Sequence, residues 1–332
     1  MMTPFVFANL PVELVRDIFE HAARDDLATA RDLTLVSSAV RRWTDPLLYH
    51  TVILASARAL KAFAAALALK PASFAAAHVR TLGVLTVGPA PTVARILGAC
   101  TGATNVACAC ALPTPAPAPP SLPPQILPGP RERHLLGPAL RDAAGWDAAL
   151  APAAARASTT THLRLHLPSF DAARPDSPFS FGAGAGADAA PGAGWARLRA
   201  LPALTHLALV YRPSGEAPAG TIVPHLARLL APASTADADA LPLARLQLVL
   251  VQIVGAKKDA GFAAAAVDAL NAAAIAQGGA ALRVVAEHAP MSAARQWADA
   301  VRAGRGVWEE AEAVVRARTR AKSSACTGSR SV

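Results

Sequence analysis

Leu204–Tyr211 reads "LTHLALVY", with leucine at Leu204, Leu207 and Leu209 and a β-branched and an aromatic residue to finish. Apolar residues at alternate positions, bounded by proline-containing segments, predict a half-buried strand. The same L-x-x-L-x-L rhythm returns in "LARLQLVLV" at Leu243, Leu246 and Leu248, and in shorter form in "THLRLHL" at Leu163, Leu165 and Leu167. "HVRTLGVLTV", "TNVACACAL" and "ALRVVAEH" add three more predicted strands. Between them lie helical patterns: "SARALKAFAAALAL", "PTVARILGA", "TIVPHLARLLA", "GFAAAAVDALNAAAIA", "SAARQWADAVRA" and "WEEAEAVVRAR". Strands that alternate with helices return by crossovers, so the expectation is an α/β chain with a parallel sheet.

Anchoring the strands on Leu82, Val106, Leu163, Leu207, Leu246 and Leu282 gives spacings of 24, 57, 44, 39 and 36 residues. Leucine-rich repeats run about 20–29 residues. The predicted fold is therefore an irregular leucine-rich-repeat-like βα array over 51–290, not a regular horseshoe. Two stretches interrupt it. One, about 112–134, holds nine of the 28 prolines between Pro113 and Pro130. The other, about 171–195, is rich in Gly, Ala and Pro. Both are expected to be disordered insertions, because proline removes backbone donors and such compositions bury little. Helices are expected over 291–322 and a disordered tail over 323–332.

Composition narrows the function classes. The 332 residues include 32 Lys and Arg against 23 Asp and Glu, a net charge of +9. The arginines are scattered, without the concentrated stripe or reading motif of a nucleic-acid binder. No run of about 20 strongly apolar residues predicts a membrane span, and the first residues lack the basic start of a secretory signal. A cytoplasmic or nuclear location is the expectation. Cys100, Cys108 and Cys110 lack the paired spacing of a zinc site and are expected to be reduced, so no metal or cofactor is expected. The glycines of "GAGAG" have no G-x-G-x-x-G spacing, and no G-x-S-x-G, P-loop or H-E-x-x-H occurs. His162 and His166 would lie about 13 Å apart on a strand, too far to chelate one ion. A non-catalytic protein is expected.

Asn9–Tyr49 differs from the rest. Its seven acids against five bases leave −2, while the remainder carries 16 acids, 27 bases and +11. Pro11 marks a helix start with Glu13 in the first turn, and Leu14, Val15, Ile18, Phe19 and Ala22 make one apolar face. Asp26 can cap a second helix, and Ser37 or Ser38 a third carrying Val40 and Trp43, which Pro46 helps stop. Three short helices bury little among themselves, so this 1–50 module needs the following domain or a partner.

The motif Leu10-Pro11-Val12-Glu13-Leu14, with Ile18-Phe19, Leu35-Val36-Ser37, Arg42-Trp43 and Tyr49, resembles the F-box. The variant ending "VRRWTDPLLYHTVIL" and the closing "ARQWADAVRAGRGVWEEAEAVV" look like the F-box-like proteins of mushroom-forming fungi. The resemblance implies a non-catalytic substrate receptor of a Skp–cullin–F-box ubiquitin ligase. It docks on the Skp-type adaptor, and through it on a cullin, while the C-terminal domain holds an unidentified protein substrate. Carried over, Leu10, Pro11, Leu14, Ile18, Leu35, Val36 and Trp43 are the adaptor-facing candidates. The alternative is a repeat scaffold whose F-box no longer binds the adaptor. For substrate, the residues between inward leucines are the candidates. His162, Arg164 and His166, then His206, then Arg245 and Gln247, would form an exposed basic-leaning patch suited to an acidic or phosphorylated segment.

Overall fold

In the computed structural model the described residues are 10–109, 131–136, 159–166, 198, 201–211, 219–230, 245–255, 260–304 and 306–328. Helices α1 (Val12–Asp25), α2 (Leu27–Leu33) and α3 (Ser38–Leu48) open the chain. The carboxylate of Asp26 accepts the Thr29 amide at 2.8 Å, and the Ser37 hydroxyl accepts that of Val40 at 3.2 Å, so both helices begin at side-chain caps. Pro46 does not end α3; it sits in the last turn, and the helix runs two residues further.

Among the described residues eight parallel strands follow in strict chain order: β1 (Thr51–Leu54), β2 (Thr81–Val84), β3 (Asn105–Cys108), β4 (Glu132–Leu135), β5 (His162–His166), β6 (His206–Tyr211), β7 (Leu248–Ile253) and β8 (Val284–His288). The α/β expectation with a parallel sheet holds. The described helices between strands are α4 (Ala57–Ala68), α5 (Phe74–His78), α6 (Ala90–Ala99), α7 (Val223–Leu230) and α8 (Ala260–Gln277). They pack on one face of the sheet, over two apolar clusters. One gathers Leu60, Phe63, Ile96 and Leu82. The other gathers Leu163, Leu165, Leu207, Leu209, Leu226 and Leu270.

The closing helices, α9 (Ala293–Ala303) and α10 (Val307–Gly328), fold back across the opposite face. They meet at Gly304, whose φ of 66° ends α9 in the left-handed region that glycine favours. Arg318 pins α10 to the β8 edge, donating to the Val284 carbonyl at 2.6 Å and to Asn271 Oδ1 at 2.6 Å. Covered on both faces, β6 and β7 are buried along their whole length.

Two sequence expectations fail here. The proline-rich insertion, 112–134, was expected to be loose to its end, but Glu132 begins strand β4. The Glu132 amide donates to the Thr104 carbonyl at 3.0 Å, and the Arg131 carbonyl accepts from Thr161 at 2.8 Å, so this four-residue strand is hydrogen-bonded on both sides. "ERHL" lacks the apolar run that would have marked it. The tail expected from 323 is also helical through Gly328, since α10 continues and Ser323 donates its hydroxyl to the Arg320 carbonyl at 2.8 Å. Residues 112–130, 171–195 and 329–332 lie outside the described residues. No helix among the described residues is long and apolar enough to cross a membrane.

Candidate functional site

On α1 the apolar arc is wider than α2 and α3 can cover. Val15, Phe19 and Ala22 are half-buried and Ala23 is buried, whereas Leu14 and Ile18 remain 50% and 48% exposed. In the turn between α2 and α3, Leu35 and Val36 are 83% and 60% exposed, and Val12 and Leu27 are exposed as well. Of the other adaptor-facing candidates, Pro11 is exposed, Leu10 is half-buried, and Trp43 is half-buried with its ring 6.5 Å from that of Phe19. Trp43 thus belongs to the small interior of the module. Behind it, Asp45 is buried and paired with Lys70, whose ammonium lies 5.4 Å from the centre of the Tyr49 ring. These contacts fix the three helices to the start of the sheet.

The second concentration of chemistry lies under α9 and α10. Strand register aligns side chains in rows across this face. One row runs Thr51, Thr81, Asn105, Glu132, His162, His206 and Leu248. The next runs Ile53, Gly83, Ala107, His134, Arg164, Ala208, Leu250 and Val285. Neighbours in a row are about 4.8 Å apart, close enough for direct contact. Two indoles seal the rows. Trp297 of α9 donates its Nε1–H to Asn105 Oδ1 at 3.1 Å and lies over Gly83, where a Cβ would overlap the ring. Trp308 of α10 donates its Nε1–H to Glu132 Oε1 at 2.8 Å and stands edge-on to His162 and His206.

Glu132 is the hub. It takes Trp308 and His134 on Oε1, the latter at 2.6 Å, and Asn105 Nδ2 on Oε2 at 2.9 Å. Burial alone would raise its carboxyl, but these donors, with His162 nearby, hold it below the usual range. His134, pushed down by burial, is neutral and donates Nε2–H to the ionised Glu132. His162 stacks on His206 with ring centres 4.2 Å apart; burial, and then His206, push its pKa down to about 4. His206 is lowered by burial, against the opposing pull of Glu312 Oε1 at 3.1 Å.

Arg164 stands apart. It is 0% exposed, and none of its three guanidinium nitrogens has a hydrogen-bond partner among the described residues. Burial pushes its pKa down to about 10, with Glu287 pulling the other way. It borders a cavity of about 240 Å³ between the sheet and the α9–α10 turn, together with Glu132, His134, Trp297, Val301 and Trp308.

The expected substrate patch is therefore not an exposed surface. His162 and His166 are half-buried, Arg164 is fully enclosed and His206 is 6% exposed. The alternation was read correctly on β5 and β6, where Leu163, Leu165, Leu207 and Leu209 face the connecting helices, but not on β7, where Leu248 lies in the row of His206 and packs with Trp308. The other face is simply covered by the chain's own C-terminal helices. Arg245 and Gln247 are exposed, but they precede β7 and so leave the rows. Sequence reasoning missed Asn105, Glu132, His134, Trp297 and Trp308. The available signal was the pair of tryptophans on the buried sides of α9 and α10, which had to cover something. No family model, curated protein or solved structure matches this chain.

Proposed function

We propose that this chain is a substrate receptor of a Skp–cullin–F-box ubiquitin ligase, with α1–α3 as the F-box that docks on a Skp-type adaptor. One observation carries the reading. Of the 12 exposed large apolar residues among the described residues, six fall within Val12–Val36. Leu14, Ile18, Leu35 and Val36 among them also belong to the F-box motif. A face of this kind, left open by the module's own packing, needs a partner of matching apolar surface. The following βα array is leucine-rich-repeat-like in that its strands stack in chain order and repeat an inward leucine, as at Leu163 and Leu207. This domain, in cytoplasm or nucleus, holds the substrate without catalysing anything. It raises substrate concentration near a ubiquitin-carrying enzyme recruited through the cullin.

The test is calorimetric binding of the full chain to a purified Skp-type adaptor. Leu14→Ala, Ile18→Ala and Leu35→Ala should each weaken the complex by about 2 kcal/mol or more, roughly 30-fold. Their exposure leaves the fold intact, which circular dichroism verifies. A parent chain that shows no adaptor binding would leave the scaffold with an inactive F-box as the better reading. Unchanged affinity in all three variants would remove these residues from the interface.

A further inference from the structure

The cavity beneath the α9–α10 turn combines features that neither packing nor adaptor docking explains. Arg164 brings five N–H donors that no described group accepts, although its side chain has no solvent exposure. An enclosed guanidinium without an acceptor is costly, and interiors ordinarily pair such a group. Glu132 is not that partner: its Oε1 accepts from His134 and Trp308 and its Oε2 from Asn105, and none of its bonds is to Arg164. His134, the row neighbour of Arg164, turns its Nε2 to Glu132 as well.

From this arrangement we infer that the cavity is a binding site for a small monocarboxylate with an apolar body. The carboxylate meets the guanidinium of Arg164 in the bidentate geometry that Arg favours. The body lies among Trp297, Val301, Val307 and Trp308, which border the same space. Two further acids, Glu132 and Glu309, also border it, so a dianion such as phosphate would meet two carboxylates against one arginine. A single negative charge fits that balance better. At about 240 Å³ the space falls below the 300–1,000 Å³ of drug-sized ligands, which limits the occupant to a short-chain or single-ring acid. Gly304 and Gly306, which flank the α9–α10 turn, also border the space. The inference is independent of the adaptor reading, since no residue of α1–α3 borders the cavity.

The experiment uses the full chain with benzoate and isobutyrate as probes, and inorganic phosphate and benzyl alcohol as controls. Thermal midpoint and titration calorimetry are measured for the parent, for Arg164→Met and for Ala300→Phe. The second variant fills the cavity from α9 while keeping the arginine. Benzoate or isobutyrate should raise the parent's midpoint and bind with measurable heat. Both variants should bind about tenfold more weakly or worse, as loss of a charge-assisted pair implies. A titration of the parent, followed at the indole N–H resonances of Trp297 and Trp308, keeps the test valid should a variant misfold. Those two signals should shift with benzoate and not with benzyl alcohol. Absence of binding by either carboxylate up to millimolar concentration overturns the inference. So does equal binding by Arg164→Met, or a response to phosphate alone.

Discussion

The two faces of one sheet are built on different principles. Beneath α4–α8 the side chains are mostly leucine, isoleucine, valine and alanine, with Phe63 and Tyr211 among them, and Arg133 is a half-buried charged residue in their rows, in register between Val106 and Leu163. Beneath α9 and α10 the same strands present Glu132, His134, His162, Arg164 and His206, held by two indoles from the far end of the chain. The first face depends chiefly on apolar area and tolerates exchange among side chains of similar volume. The second depends on directional hydrogen bonds, so its arrangement is more specific and less forgiving.

The sharpest test of this contrast compares one deletion per face. Trp308→Ala removes a buried indole and one donor to Glu132, and should cost about 3–5 kcal/mol. Leu207→Ala, fully buried on the apolar face, should cost about 2–5 kcal/mol. Urea denaturation measures both. If Trp308→Ala costs less than about 1 kcal/mol, the closing helices are an appendage and the polar face is not part of the cooperative fold. Arg164→Met should have the opposite sign. Replacing an enclosed, unpaired charge with an apolar side chain of similar length should stabilise the ligand-free chain by about 1–3 kcal/mol. A loss of stability there would mean that Arg164 is structurally paired after all.

The smallest effect is a pH dependence confined to the polar face. The folded pKa of His162, about 4, lies below its ordinary 6.5, and that of His206 is displaced in the same direction. Protons therefore favour the unfolded chain. The contribution of the neutral rings is complete above pH 6.5 and is lost as pH falls toward 4. His162→Gln should flatten that acid limb in the same denaturation measurement. An unaltered limb would show that the ring titrates normally in the fold.

How much of this was legible beforehand follows from the range of each interaction. Caps, helices and most strands are local, so Asp26, Ser37 and the leucines of "LTHLALVY" announced them. Strand β4 was not legible because "ERHL" is short and polar, and its identity comes from neighbours on both sides. The candidate adaptor residues were visible by motif, but their exposures were not. Trp43 turns inward to Phe19, while Leu14 and Ile18 stay outside the module's core.

The sequence by itself determined that the chain alternates strands and helices, and which leucines of β5 and β6 face the connecting helices. Periodicity of two and of 3.6 carries that information within a few residues. Only the tertiary structure decided that His162, Arg164 and His206 lie under a roof. That roof is contributed by Trp297 and Trp308, and the Trp308 bond to Glu132 spans 176 positions of chain. Alternation states that a strand has a second face; what covers that face is a long-range contact with no local signature.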